Sequence, residues 1–456
     1  MSALLPTLPT LLLATSLSGE AALRHAAALA ALGPHPWGSP RTQAAAAYVA
    51  AEFREAGLGE VRLEEFESQG TRGANVVGVL RAPGPEFLVI AAHHDTAPEA
   101  PGAYDDGGGV GLLIEAARAL APRPRSRTLV FVSFDGEEAG PPGRTPTPGS
   151  RAFIRALGST ARDVVAALVI EMCGWKGGTP VLHAIAYPDP LRPGIPVIAP
   201  AWLVGAVQEG AREGGTPFPL GDPRLSWLYQ PTVRAFRAPH HYGDDLSFLQ
   251  AGLPAVFVSD SSFSAYYPWY HQAGDTADKL DAEALARMGA GVLGVVEALG
   301  RAPRGPASEP VWFSAFGRVV GARTLMVLGA LSLLPGLLRA VSAGGFVLPG
   351  RLLQAALCGL LFWRQPVPVL WVLLLPNLLA GAGRAWLSLL SLLPALALLG
   401  LGIMAWSRGF VAGTWLAPWE IAALILALAL LWVGPPRAAV RRAAPRGGRR
   451  FPRDAR

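Results

Sequence analysis

The chain has 456 residues, 51% of them apolar, and a formal net charge of +6, with a mean hydropathy of +0.34; this excludes a small soluble domain and leaves room for two folding units, one of them in lipid. After Glu309 only Glu420 and Asp454 are acidic, against fifteen arginines from Arg318 to Arg456, so that part carries +13 and the total of +6 leaves −7 on residues 1–310. An acidic front part argues against a nucleic-acid partner, and two lone cysteines, Cys173 and Cys358, exclude both a disulfide framework and a thiolate zinc site.

In chain order, residues 1–18 hold an apolar run broken by Pro6 and Pro9 with no basic residue ahead of it, a weak leader. Amphipathic spacing predicts helices at Glu20–Leu32 and Thr42–Ala56, then strands at Val61–Glu67 and Asn75–Leu80. Three nearly continuous apolar runs, Phe87–Ala92, Thr128–Phe134 and Ala167–Ile170, read as buried central strands, and Pro254–Val258 as a fourth. A helix is expected over Gly107–Ala121 and a closing one over Asp281–Leu299, with loops at Gly136–Gly149 and Pro188–Pro200. Strands alternating with helices make residues 19–300 an α/β domain with a mixed, mostly parallel sheet.

Residues 301–316, rich in Pro, Gly and Ala at their start, read as a linker. Apolar stretches at about 319–338, 346–363, 366–382, 385–406 and 416–433 then predict an all-α transmembrane bundle of about five spans over 317–434. The second is the weakest, because Pro349 and Arg351 interrupt it. The basic tail 435–456 belongs in the cytoplasm by the positive-inside rule, which with five spans puts the front domain outside the cell membrane. The spans hold almost no ionisable group besides boundary arginines and Glu420, so anchoring suits them better than transport.

In an open α/β sheet the working groups gather at the carboxyl ends of the strands. The first central strand runs into His93-His94-Asp95, the second into Asp135-Gly136-Glu137-Glu138, and the third into Glu171. Carboxylates brought to one edge repel each other unless a cation is shared. Imidazole plus carboxylate without thiolate suits zinc, or another divalent transition metal. The glycine-rich loop Pro101–Gly109 offers Asp105 as a residue able to bridge two ions, and Tyr270–Thr276 adds His271 ahead of the last helix.

These motifs, HxD at His93–Asp95, GAxDD at Gly102–Asp106, Glu137-Glu138, the acid at Glu171 and YHxxxDT at Tyr270–Thr276, together resemble the co-catalytic di-zinc exopeptidases, the family of bacterial leucyl aminopeptidases, aminopeptidase Y, glutamate carboxypeptidase II and glutaminyl cyclases. The resemblance spans residues 20–300 and implies the three-layer zinc-exopeptidase fold. It makes Asp105 the ligand shared by two zinc ions, with Glu138 and His271 on one and His93 and Glu171 on the other. Glu137 becomes the general base that draws a proton from a metal-bridging hydroxide's parent water, in aminopeptidase-type hydrolysis of a peptide substrate. Asp95 orients His93, Asp106 supports the loop through a strained peptide after Asp105, and His94 faces away.

Two departures touch substrate recognition. Glu171 stands where relatives more often have Asp, and in Gly243-Asp244-Asp245-Leu246-Ser247-Phe248 Asp245 replaces a usual histidine. His240, His241 and Tyr242 precede that segment and are candidates for the pocket, with Asp245. His25, His35, His183, Trp175, Trp227 and Trp269 carry no assigned role. The rivals on the same fold are a one-zinc glutaminyl cyclase, which retention of His93, Asp95 and Glu171 disfavours, and a non-catalytic membrane-bound scaffold, which loses ligands that this chain keeps.

Overall fold

The computed structural model describes residues 17–138, 147–184, 187–188, 196–197, 199–220, 243–260, 267–306, 312–315 and 318–321. The leader up to residue 16, the spans and tail past residue 321, and His240, His241 and Tyr242 lie outside the described residues; Trp312–Ala315 and Arg318–Gly321, expected as the end of the linker and the start of the helical region at 317, pair instead as antiparallel strands. Among those described, no helix is long and apolar enough to cross a membrane.

Two capped helices open the domain. In α1 (Gly19–Ala30) the Ser18 hydroxyl accepts the Ala21 N–H, and in α2 (Pro40–Glu55) Ser39 accepts the Thr42 N–H just before Pro40 at the first helical position. The chain then forms the hairpin β1 (Glu60–Ser68) and β2 (Thr71–Leu80), turned by Gln69 and Gly70, both at positive φ. Next come β3 (Phe87–His93), α3 (Gly108–Leu120), β4 (Thr128–Phe134), α4 (Pro148–Leu157), β5 (Val164–Ile170), β6 (Val181–His183), α5 (Ala201–Glu213), α6 (Asp244–Gln250), β7 (Ala255–Ser259) and α7 (Ala282–Arg301).

These strands make one sheet in the order β1-β2-β4-β3-β5-β7-β6. The pairs β4–β3, β3–β5 and β5–β7 are parallel, and β1–β2, β2–β4 and β7–β6 are antiparallel. The sheet is therefore mixed as expected but half parallel rather than mostly so, because the β1–β2 hairpin adds an antiparallel flank on one side and β6 runs against β7 on the other. Every residue of β3, β4 and β5 is buried, the mark of strands covered on both faces. One apolar layer packs α1, α2, α3, α5 and α7 on one face, and a second packs α4 and α6 on the other.

The parallel register decides where the chemistry falls. His93 stands level with Phe134, and Val169 and Ile170 level with Phe257 and Val258, so His93, Asp135, Glu171 and Asp260 leave the sheet along one edge.

Candidate metal centre

The carboxyl edge of the sheet gathers two clusters of ligand atoms that share one residue. His93, Asp105 and Glu171 present atoms within 4.8 Å of one another, and so do Asp105, Glu138 and His271. His93 Nε2 lies 3.2 Å from Asp105 Oδ1, while His271 Nε2 lies 3.4 Å from Asp105 Oδ2 and 2.6 Å from Glu138 Oε1. Neither Asp105 Oδ2 nor His271 Nε2 makes an aligned hydrogen bond, although both are shielded from solvent. Buried polar atoms that approach without bonding point to a common partner. Two imidazoles and three carboxylates, with no thiolate, fit divalent zinc in both clusters.

The residues that hold these ligands are themselves anchored. Gly102, at φ +73°, starts the Asp105 loop where a Cβ would stand 2.3 Å from Thr96 Cγ2, so only glycine fits. The Asp105–Asp106 peptide is cis. Asp106 accepts the backbone N–H groups of His93, Gly109 and Met172, tying the ends of β3 and β5 to the start of α3. Asp275 accepts the N–H groups of Tyr104 and Asp105 and the Tyr267 hydroxyl, joining the His271 segment to the shared ligand.

Asp95 acts more widely than an orienter of His93. The His93 Nδ1 group is 3.0 Å from the Asp95 carbonyl oxygen and 3.4 Å from its carboxylate. That leaves Nε2 for a ligand role. The carboxylate accepts the Glu137 and Glu138 N–H groups at 3.0 Å each, clamping the turn that carries both glutamates. Asp95→Ala is expected to lower zinc affinity or turnover about 10–100-fold, as loss of a ligand-supporting group does; metal titration beside kinetics checks this, and unchanged values for both would contradict the clamp.

The charges are strongly interdependent. Burial opposes ionisation of Asp105, but His271 and His93 hold it below the usual carboxylate range. Burial likewise opposes charge on His271, yet Asp105 and Glu138 pull it up to about 10. Burial and the Asp105 charge push Glu138 up to about 7 against His271. Half-buried Glu137 is raised well above its ordinary value by burial and then by the Glu171 charge. Asp244 is pushed up to about 8 by burial, with Ser150 and His93 opposing.

His94 lies apart from both clusters. Its Nδ1 is 2.9 Å from Ser133 Oγ, and burial lowers its pKa to about 4. The unfolded chain takes up a proton near pH 6.5 that the folded chain refuses, so stability falls as pH drops from 6.5 to about 4. The loss is on the order of 3 kcal/mol, and a His94→Gln variant, unfolded by denaturant across that range, should lack it.

Sequence reasoning passed over two anchoring acids. Asp260 follows β7 as Glu171 follows β5, and accepts the Tyr104 hydroxyl and the Gly174 and Trp175 N–H groups; the strand-end pattern pointed to it. Asp275 lies within the Tyr270–Thr276 motif, where its neighbour His271 draws the attention. Asp245 is fully buried beside Gly243, and Trp175 and Trp269 flank buried Tyr267 edge-on.

Residues 75–192 and 228–296 match the sequence model of peptidase family M28. The protein YfbL of Escherichia coli is 28% identical over 232 residues, 46% of this chain and 66% of YfbL. Leucine aminopeptidase 1 of Metarhizium robertsii is 26% identical over 260 residues, 54% of this chain and 60% of its own. The chain thus spans less than two thirds of either relative. A zinc aminopeptidase structure from Bacillus subtilis superposes with a TM-score of 0.50 at 14% identity, covering 65% of this chain and 99% of that one, a likeness of fold.

Proposed function

We propose, from the premise that this chain belongs to peptidase family M28, that it is a metal-dependent exopeptidase of aminopeptidase type acting on peptides. The observation that carries this reading is the position of Asp105, whose two oxygens face separate clusters, His93 with Glu171 and Glu138 with His271. Those five residues would hold two zinc ions. Bound there, the ions would make water acidic enough to attack at neutral pH and would polarise the scissile carbonyl.

The chain's own part is to hold and move a proton. Glu137, fixed through its backbone by Asp95, takes the proton of the attacking water and returns it to the leaving amine. Its raised pKa suits a group that must both accept and release. His271, with 37% of its side chain exposed, marks the side from which substrate arrives.

Aminoacyl and N-blocked peptide substrates, assayed with zinc and after chelation, test the reading together with metal analysis. Two zinc equivalents per chain and chelator-sensitive release of an amino acid are expected. Turnover indifferent to metal removal, or cyclisation of amino-terminal glutamine in place of hydrolysis, would refute it.

The sequence beyond residue 316 supports a membrane anchor with the peptidase domain outside the cell. Protease added to sealed cells should digest that domain. Protection until lysis would reverse the placement.

A further inference from the structure

The β2–β4 ladder ends at the Val76–Ser133 pair, just ahead of the turn that carries Glu137 and Glu138. Beyond that pair, side chains take over from backbone. Asn75 Oδ1 accepts the Asp135 N–H at 3.2 Å, and Asp135 Oδ2 in return accepts the Ala74 N–H at 3.1 Å. The nitrogen of the same amide donates to the Gly149 carbonyl oxygen at 2.9 Å, in the first turn of α4. Asn75 is 1% exposed, so both of its bonds are shielded from water.

One amide therefore joins β2, the end of β4 and the start of α4. Only a group that accepts and donates at once can do this. A carboxylate supplies acceptors alone, and an apolar side chain would leave the Asp135 N–H and the Gly149 carbonyl buried without a partner. The junction is also closely packed: a Cβ on Gly149 would stand 2.1 Å from the Asp135 carbonyl oxygen and 2.6 Å from Asn75 Oδ1. Gly136 follows at φ +84°, so the step from the junction to Glu137 is made by the residue with most backbone freedom. Glu138 shares a cluster with Asp105 and His271, so a bound ion would fix its carboxylate directly. Glu137 belongs to neither cluster, and its place depends on the backbone that carries it. Asp95 holds that backbone on one side, through the Glu137 N–H, and Asn75 holds it on the other, through the Asp135 N–H.

We propose that Asn75 is a positioning residue for Glu137: its amide fixes Asp135 against β2 and α4, and thereby sets where the turn presents the base beside the two clusters. The role of Glu137 rests on the exopeptidase reading, whereas the pinning of the turn does not. A base misplaced by about 1 Å can cost on the order of 10²-fold in rate, so loss of the amide should be felt in catalysis before it is felt in metal or substrate binding.

The test compares the full zinc-loaded chain with Asn75→Ala, with Gly149→Ala, whose Cβ would wedge the same junction apart, and with Val79→Ala, a buried truncation elsewhere on β2. Both junction variants should lower kcat for the best aminoacyl p-nitroanilide about 10–100-fold, with KM and zinc content unchanged. Hydrogen–deuterium exchange should be slow at the Asp135 amide of the wild type and about tenfold faster in Asn75→Ala, the size of one hydrogen bond, with the Asp105 amide unchanged. Val79→Ala should lower the melting temperature and leave kcat as it is, which separates positioning from stability. The proposal is overturned if either junction variant keeps its kcat, if zinc is lost along with it, or if Val79→Ala slows the reaction as much. Fast exchange of the Asp135 amide in the wild-type protein overturns it even if no variant folds. A wild-type protein that turns over no peptide, yet shows the slow exchange and its dependence on Asn75, sinks the exopeptidase reading and leaves the turn pinned as described.

Discussion

Asp105→Asn should strip the protein of both zinc ions and reduce peptide hydrolysis to background. The reason is geometric: each Asp105 oxygen faces its own cluster, and an amide supplies one weak oxygen and an N–H pair that repels a dication. His93 with Glu171, and Glu138 with His271, are then left as incomplete sites. The loss should exceed the roughly 10²–10³-fold that follows removal of a single transition-state donor, because ligand loss removes the activated water as well. Metal analysis of purified variant and wild type decides the matter. Two retained zinc equivalents with normal turnover would mean that Asp105 is not shared.

Glu137→Gln should do the converse, abolishing turnover while zinc stays in place. Glu137 belongs to neither ligand cluster, and its backbone N–H is held by Asp95 whichever side chain follows. Glutamine keeps the shape and loses the proton acceptor, so kcat should fall about 10²–10⁴-fold, the range for general acid–base catalysis. KM should change little, since substrate contacts are retained. A variant that loses metal would place Glu137 among the ligands, and one with normal kcat would remove it from the chemistry.

Much of this arrangement was legible in the sequence because buried parallel strands leave a plain signature. Thr128–Phe134 begins and ends where its apolar run does, and β3 passes one residue further to His93 itself. The β5 strand starts earlier than expected, at Val164, since Val164–Ala166 continue the apolar run. Helix α4 begins on the last two residues of the expected loop Gly136–Gly149, because Pro148 and Gly149 look like breakers although proline is at home in a first helical turn. Helix α6 has seven residues, too few to show a period, and β6 has three. The sheet's parallel fraction was overestimated because pairing direction at the flanks depends on which strands meet in space, and β6 and β7 meet antiparallel across more than seventy residues of chain.

The ligand residues stood out individually, but their supports did not. That Asp95 grips Glu137 and Glu138, or that Asp275 grips Asp105, depends on contacts between residues 42, 43 and 170 positions apart. No local pattern encodes such contacts. Asp244 shows the limit most clearly, because nothing in its Gly-Asp-Asp step announces that the carboxylate is buried.

The hold of Asp275 on the Asp105 backbone makes the two ligand-bearing loops a single mechanical piece. A frame of that kind works as a caliper, its jaws set by hydrogen bonds before any ion arrives. Ions preferring bonds of about 2.0–2.2 Å would suit such jaws, while calcium, at about 2.3–2.6 Å and with more ligands to satisfy, would have to pry them apart.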